Sequence, residues 1–237
     1  VLLLAAWLIS ILGAVVAFGG FTVTRDGDRL RIRRGLVSRR EASVPVARIR
    51  AVRVVEGVLR RPFGLAALTV EVTGYAEEAS AARTLFPLVR MREVRGFLDE
   101  LLPEMADDVE ALERPPARAA RRYVLVPALI GIALCLGLWF AVGPFALLAL
   151  LIGLYGVERW RSAGWRLRDG RLAVRSLLFA RTTVLAPARF RESHTVAQNV
   201  FQRRAQLADL SVAFGKSTTA SIRHLDEGAA RRAWAAL

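Results

Sequence analysis

The stretch EGVLRRPFGLAALTVEV at residues 56–72 returns, 142 positions later, as QNVFQRRAQLADLSVAF at residues 198–214. Paired positions keep their chemistry: Val58 with Val200, Leu65 with Leu207, Leu68 with Leu210, Val70 with Val212. Upstream, the same offset joins Leu30 with Leu172, Ile32 with Val174 and Pro45 with Pro187, while the tripeptide RDG at 25–27 returns at 168–170, one residue out of step. An offset held from residue 30 to residue 70 marks a duplicated structural unit.

Within each unit the pattern alternates before it turns helical. LRIR (30–33) and LAVR (172–175) follow Asp-Gly turns and put apolar residues on one face of a short strand. Further strands are expected at 39–44, 49–56, 68–73 and 82–86, and in the second unit at 182–185, 190–196, 210–214 and 220–224. MREVRGFLDELLPEM (91–105) then sets Val94, Phe97, Leu98 and Leu101 on one helical face, and EGAARRAWAAL (227–237) closes the second unit in the same way. Short antiparallel strands with a terminal helix predict an α+β fold in which each unit is a small β-barrel or a curved sheet plugged by its C-terminal helix. At roughly 80 residues apiece, each holds a modest core.

Two runs without charge lie outside this pattern, Val1–Thr24 and Tyr123–Val157. Each is at least as long as the roughly 20 residues that cross a bilayer. The second would extend about 52 Å as one helix, so Gly143-Pro144 near its middle reads as the reversal of a hairpin. A membrane protein with three transmembrane helices follows: a span at 1–22, a first domain at 23–106, a linker at 107–121, a hairpin at 122–160 and a second domain at 164–237. The first run has no initiator methionine and no basic leader, so further sequence is expected before Val1.

Lys+Arg 35 against Asp+Glu 21 leaves a net charge of +14. The arginines gather at the ends of the apolar runs, at 25–34, 118–122 and 159–168, and the positive-inside tendency puts all three flanks on one side of the membrane. Charge that follows membrane boundaries is not the footprint of a nucleic-acid-binding domain. Cys135 is the only cysteine, and His194 and His224 have no ligand pattern around them. No disulfide, metal site or cofactor is expected. Asp26 and Asp169 read as turn formers rather than catalytic acids, and no catalytic residue is expected.

These units resemble the bacterial pleckstrin-homology (PH) domains of membrane proteins in the YdbS/YdbT-like group. The likeness rests on Gly35-Leu36, Val44-Pro45, Arg48-Ile49 and then Leu59, Arg60, Arg61, Phe63, Gly64 and Leu65, with Val70 and the Gly74 turn behind them. The second unit keeps Pro187, Val200, Phe201, Arg203 and Leu207 but has Leu177 in place of Gly35 and Gln206 in place of Gly64. The resemblance implies PH-like barrels in a multi-pass protein of the bacterial inner (plasma) membrane, both domains cytoplasmic, with no enzyme activity and no agreed ligand.

Arg39, Arg40, Arg48, Arg50, Arg53, Arg60 and Arg61 form the densest basic segment, close behind the first apolar run. They are the candidate surface for anionic lipid or a partner. Leu59, Phe63 and Leu65, with Phe201 and Leu207, are expected to fill the barrel cores. Trp160 and Trp165 are expected to anchor at the membrane interface, and Trp234 to pack the last helix onto its sheet. The functional expectation is a non-enzymatic scaffold or adaptor for a membrane-protein partner or for self-association, in envelope stress or defence. The alternatives are a sensor of anionic membrane lipids and an accessory subunit of a transport or export system. No nucleic-acid partner is expected.

Overall fold

The computed structural model describes residues 20–35, 40–73, 84–107, 109, 111–215 and 218–237. The chain divides into two compact units, Val1–Ala106 and Asp107–Leu237. In the first, β1 (Thr22–Asp26), β2 (Arg29–Arg34) and β3 (Arg40–Pro45) form one antiparallel sheet. A second sheet holds β4 (Ile49–Glu56), β5 (Leu65–Val72) and β6 (Thr84–Arg90), and helix α1 (Val94–Leu101) follows. Period-2 alternation sets the inward faces: Leu30, Ile32, Val52, Val54, Leu68 and Val70 are buried, as are Val94, Leu98 and Leu101 of α1. Each such side chain stabilises the unit by about 1.5–3 kcal/mol.

The second unit begins with α2 (Ala117–Val142), a 3-10 segment (Gly143–Leu150) and α3 (Leu151–Ser162). Then β7 (Gly164–Arg168), β8 (Arg171–Leu177) and β9 (Arg181–Pro187) form one sheet. Another is made by β10 (Ser193–Ala197), β11 (Leu207–Ala213) and β12 (Thr219–Asp226), with the short helix α4 (Val200–Arg204) between β10 and β11. Helix α5 (Glu227–Ala236) ends the chain.

Through the first five strands of each unit the duplication keeps its register. Arg29 faces Pro45 as Arg171 faces Pro187, and Ala51 faces Glu71 as Ser193 faces Ala213. Both first hairpins turn through two residues, Gly27-Asp28 and Asp169-Gly170. The offset of 142 therefore runs through the turns as well, and the two RDG tripeptides are not structural equivalents.

Closed barrels are not formed. Within each unit the strands pair as two separate three-stranded ladders. Pro45 and Pro187 end β3 and β9, and a 3-10 turn follows each, Val46–Arg48 and Ala188–Phe190. Proline has no N–H to extend the ladder, so pairing stops before the next strand begins.

The expectation of three transmembrane helices is also overturned. Among the described residues, Ala117–Ser162 is the one helical stretch long and apolar enough to cross a membrane. Residues 1–19 of the first apolar run lie outside the described residues, and its last three belong to β1. Within the second, α2 has the length of a span, but the return limb contains only 12 α-helical residues in α3, about 18 Å against a hydrocarbon core of about 30 Å. With one candidate span, the placement of three arginine flanks on one side loses its basis. The multi-pass localisation with two cytoplasmic domains falls with it.

Helices α2 and α3 lie against each other where side chains are absent. A Cβ on Gly156 would stand 2.6 Å from the Tyr123 carbonyl oxygen and 2.9 Å from Val124 Cα. That carbonyl has no helical donor, because the residue four positions on is Pro127. Gly153 is different: its Cβ would meet Ala128 at an ordinary 3.6 Å. Gly156→Ala is therefore expected to destabilise the full chain by about 1–3 kcal/mol through helix displacement, whereas Gly153→Ala leaves thermal unfolding in detergent unchanged or raised.

The left-handed position at the start of β5 and β11 gives a second expectation. Gly64 (φ 64°) accepts a hydrogen bond from Met91 N at 2.8 Å, and Gln206 (φ 51°) accepts the equivalent bond from Glu227 N at 3.0 Å. An L side chain pays about 1–2 kcal/mol in this region. Gln206→Gly is expected to raise the unfolding temperature, by a net effect of about 0.5–1 kcal/mol once the extra freedom of unfolded glycine is counted.

Candidate functional site

Of the seven predicted arginines, Arg39 and the side chain of Arg40 lie outside what the structure describes. The other five are spread along one strand and beyond it. Arg48 precedes β4, Arg50 and Arg53 are half-buried on it, and Arg60 and Arg61 follow it. Eight strand residues separate the two ends by about 26 Å, so these cations do not converge on one ligand. Arg50 Nε donates to Thr73 Oγ1 at 3.1 Å, and Arg60 Nη1 to the Pro87 carbonyl at 3.3 Å.

What the structure does gather at Arg60 and Arg61 is apolar surface. Val58, Leu59 and Phe63 are 69%, 85% and 76% exposed, so the expectation that Leu59 and Phe63 fill a core is corrected. The link from β4 to β5 is too short to fold back: Arg60 and Arg61 N–H both donate to the Gly57 carbonyl, and Leu65 N–H to that of Arg60. This tight turn presents its side chains outward. In the second unit the same positions form α4, where Val200 and Phe201 are exposed beside Arg203 and Arg204. Leu207, by contrast, is fully buried as expected. Leu178 and Phe179, on the turn between β8 and β9, form another exposed apolar tip.

Both tips of the second unit are tied to the apolar helices. Arg122 of α2 donates to the Phe201 carbonyl, and the Tyr155 hydroxyl of α3 donates to that of Leu178. Farther down α2, Arg118 pairs with Asp226 and donates to the Ala205 carbonyl at 3.1 Å. Trp160 packs on Ala119, Tyr123, Ala163 and Leu207. Trp165 is only 8% exposed, on β7, and pairs with Glu113 through backbone bonds of 2.8 and 2.9 Å. It is a core residue and not an interfacial anchor. Trp234 is half exposed, with its ring 5.5 Å from that of His194.

A further group was missed from sequence. Asp209 of β11 faces two residues of β12, Arg223 and His224, because the register slips between Ala208–Leu225 and Leu210–Ile222. This is a β-bulge, which re-aims side chains. His224 takes the left-handed φ of 55°. Its N–H donates to Asp209 Oδ1 at 2.7 Å, while the Arg223 carbonyl accepts from the Tyr123 hydroxyl of α2 at 2.6 Å. Buried Gln202 completes the group, bonding Asp209 Oδ1 at 2.6 Å and His224 Nδ1 at 3.0 Å. The Asn199–Gln202 capping box that fixes Gln202 was legible as a spacing. The bulge was not, since it exists only in the pairing of two strands. Among the described residues, no three His, Cys, Asp or Glu side chains gather as a metal site.

A family profile described as Bacterial PH domain matches residues 1–105 and 123–237. Among curated proteins, the transmembrane protein YdbT of Bacillus subtilis (strain 168) is 24% identical over 232 residues, which cover 95% of this chain and 46% of that protein. The chain thus spans about half the length of this relative. No solved structure matches.

Burial holds the His224 imidazole below its ordinary 6.5, with Arg122, Arg223 and Arg159 adding to the effect and Asp209 opposing it. In the pH range just below 6.5 the unfolded chain binds a proton that the folded chain does not. Stability therefore falls as the pH drops through that range, and levels off once folded His224 is charged. His224→Asn keeps a residue suited to the left-handed backbone and removes the titration. Between about pH 8 and pH 5, the unfolding temperature of the variant is expected to fall less than that of the native chain; equal falls would refute the assignment.

Proposed function

The chain belongs to the bacterial PH-domain family, and we propose that it is a non-enzymatic, membrane-associated adaptor whose two PH units rest their connection tips on the bilayer surface. The observation that carries this reading is the exposed apolar tip flanked by cations, Val58, Leu59 and Phe63 beside Arg60 and Arg61, repeated as Val200 and Phe201 beside Arg203 and Arg204. Exposed large apolar groups next to cations suit an interface where hydrocarbon and anionic headgroups meet. The Arg122 bond to the Phe201 carbonyl supports it further, since it ties the second tip to the point where α2 turns from basic to apolar.

The scaffold reading concerns what the units hold once they are seated. PH domains are non-catalytic adaptor modules, and the chain's likeness to a transmembrane protein supports a role in gathering other components at a membrane.

The single cysteine makes the tip reading testable. In a Cys135→Ser background, Phe63→Cys or Phe201→Cys carries a spin label, and the full chain is reconstituted into anionic vesicles. Labels at both tips are expected to be accessible to oxygen and shielded from a water-soluble nickel reagent. Free access of nickel at both tips would sink the proposal.

A further inference from the structure

Beside α2 in the second unit is a cavity of about 300 Å3 whose two ends differ in chemistry. One end is lined by Arg122, Arg159 and Arg223, the other by Val126, Ile130 and Ile152. A smaller hollow of about 160 Å3 shares Arg159 and Arg223 with it. We propose that the larger cavity binds one anionic phospholipid, its phosphate held by the three guanidinium groups and an acyl chain laid along the three aliphatic side chains. The site rests on the tip reading's placement of α2 in a membrane and shares Arg122, which bonds the Phe201 carbonyl, with the second tip.

The three cations come from three elements, α2, α3 and β12, so only the tertiary structure brings them together. No carboxylate is among the residues lining either hollow, and the nearby Asp209 already bonds Gln202 and the His224 N–H. Arg159 lies between two rings, 5.9 Å from the centre of Tyr123 and 5.7 Å from that of Tyr155. Its Nε is buried and meets no acceptor among the described residues. Arg159 lines both hollows, and a guanidinium fork is the group that matches a phosphate best. Arg223 is exposed, and its position is set by the bulge.

The order of the lining selects a lipid over a free anion. Val126 and Ile130 are one helical turn apart on the same face of α2, 59% and 49% exposed. They lie on the apolar side of Arg122, as acyl chains lie on the apolar side of a headgroup. Inorganic phosphate would use the cationic end and leave the aliphatic end in water. The first unit repeats the bulge, with Pro87 and Leu88 opposite Ala67, but puts no cation at these two positions.

The test uses the full chain in mild detergent with equal amounts of phosphatidylglycerol and phosphatidylcholine, and counts bound lipid by native mass spectrometry. Phosphatidylglycerol is expected to be retained over phosphatidylcholine by about tenfold or more. Arg223→Gln alters an exposed side chain that makes no bond among the described residues, so the fold is kept and retention falls severalfold. Arg159→Gln with Arg223→Gln abolishes the preference. Arg60→Gln with Arg61→Gln, at the first tip, leaves retention unchanged even if the tip reading fails. Equal retention of the two lipids overturns the proposal, as does retention that Arg223→Gln and the double variant do not alter. Loss with the tip variant would place the lipid elsewhere, and displacement by inorganic phosphate would reduce the site to a simple anion pocket; either overturns it.

Discussion

The carboxylate of Asp209 carries the geometry of the second unit. It accepts from the His224 N–H and from Gln202 Nε2, and so holds open a bulge in which two residues of β12 face one of β11. Without that acceptor, the extra backbone N–H of the bulge would be buried unpaired, at a cost of about 1–3 kcal/mol. The bulge in turn sends the Arg223 carbonyl to the Tyr123 hydroxyl. That bond fixes α2 against the sheet, and Gly156 lets α3 close on α2 at the same level. The three arginines and both apolar tips take their positions from this chain of contacts.

The same bulge in the first unit shows what duplication preserved and what it changed. There Pro87 and Leu88 occupy the bulged positions, and a proline is tolerated because no ladder bond is required of it. The two-against-one pairing is common to both units, but Leu88 lacks the left-handed φ of His224, and the side chains are basic in one and apolar in the other. At the left-handed position the divergence runs the other way: Gln206 keeps the conformation of Gly64 and bears its strain, because the hydrogen bond to the terminal helix is retained.

Most of the fold was legible where a local pattern and a burial requirement agree. Alternation in LRIR, the helical face of Val94, Leu98 and Leu101, and the offset of 142 appear in the structure, whereas in LAVR the consecutive residues Leu172, Ala173 and Val174 are all buried. Apolar character alone points Leu59, Phe63 and Phe201 to the core, yet Leu59 and Phe63 sit on a turn too short to bury them and Phe201 is exposed on the short helix α4. Trp165 was assigned to the interface because it follows an apolar run, yet the backbone pairing with Glu113 draws it into the sheet.

The sequence by itself determined the duplicated PH-type unit, its inward faces and its apolar helical stretch, because each is written in spacing along the chain. Only the tertiary structure decided that the strands stop short of a barrel, that one stretch rather than three serves as a candidate span among the described residues, and that Arg122, Arg159 and Arg223 share a cavity. These outcomes depend on which strands pair and on how closely two helices approach. Such contacts join residues up to 108 positions apart, a distance over which no local periodicity operates.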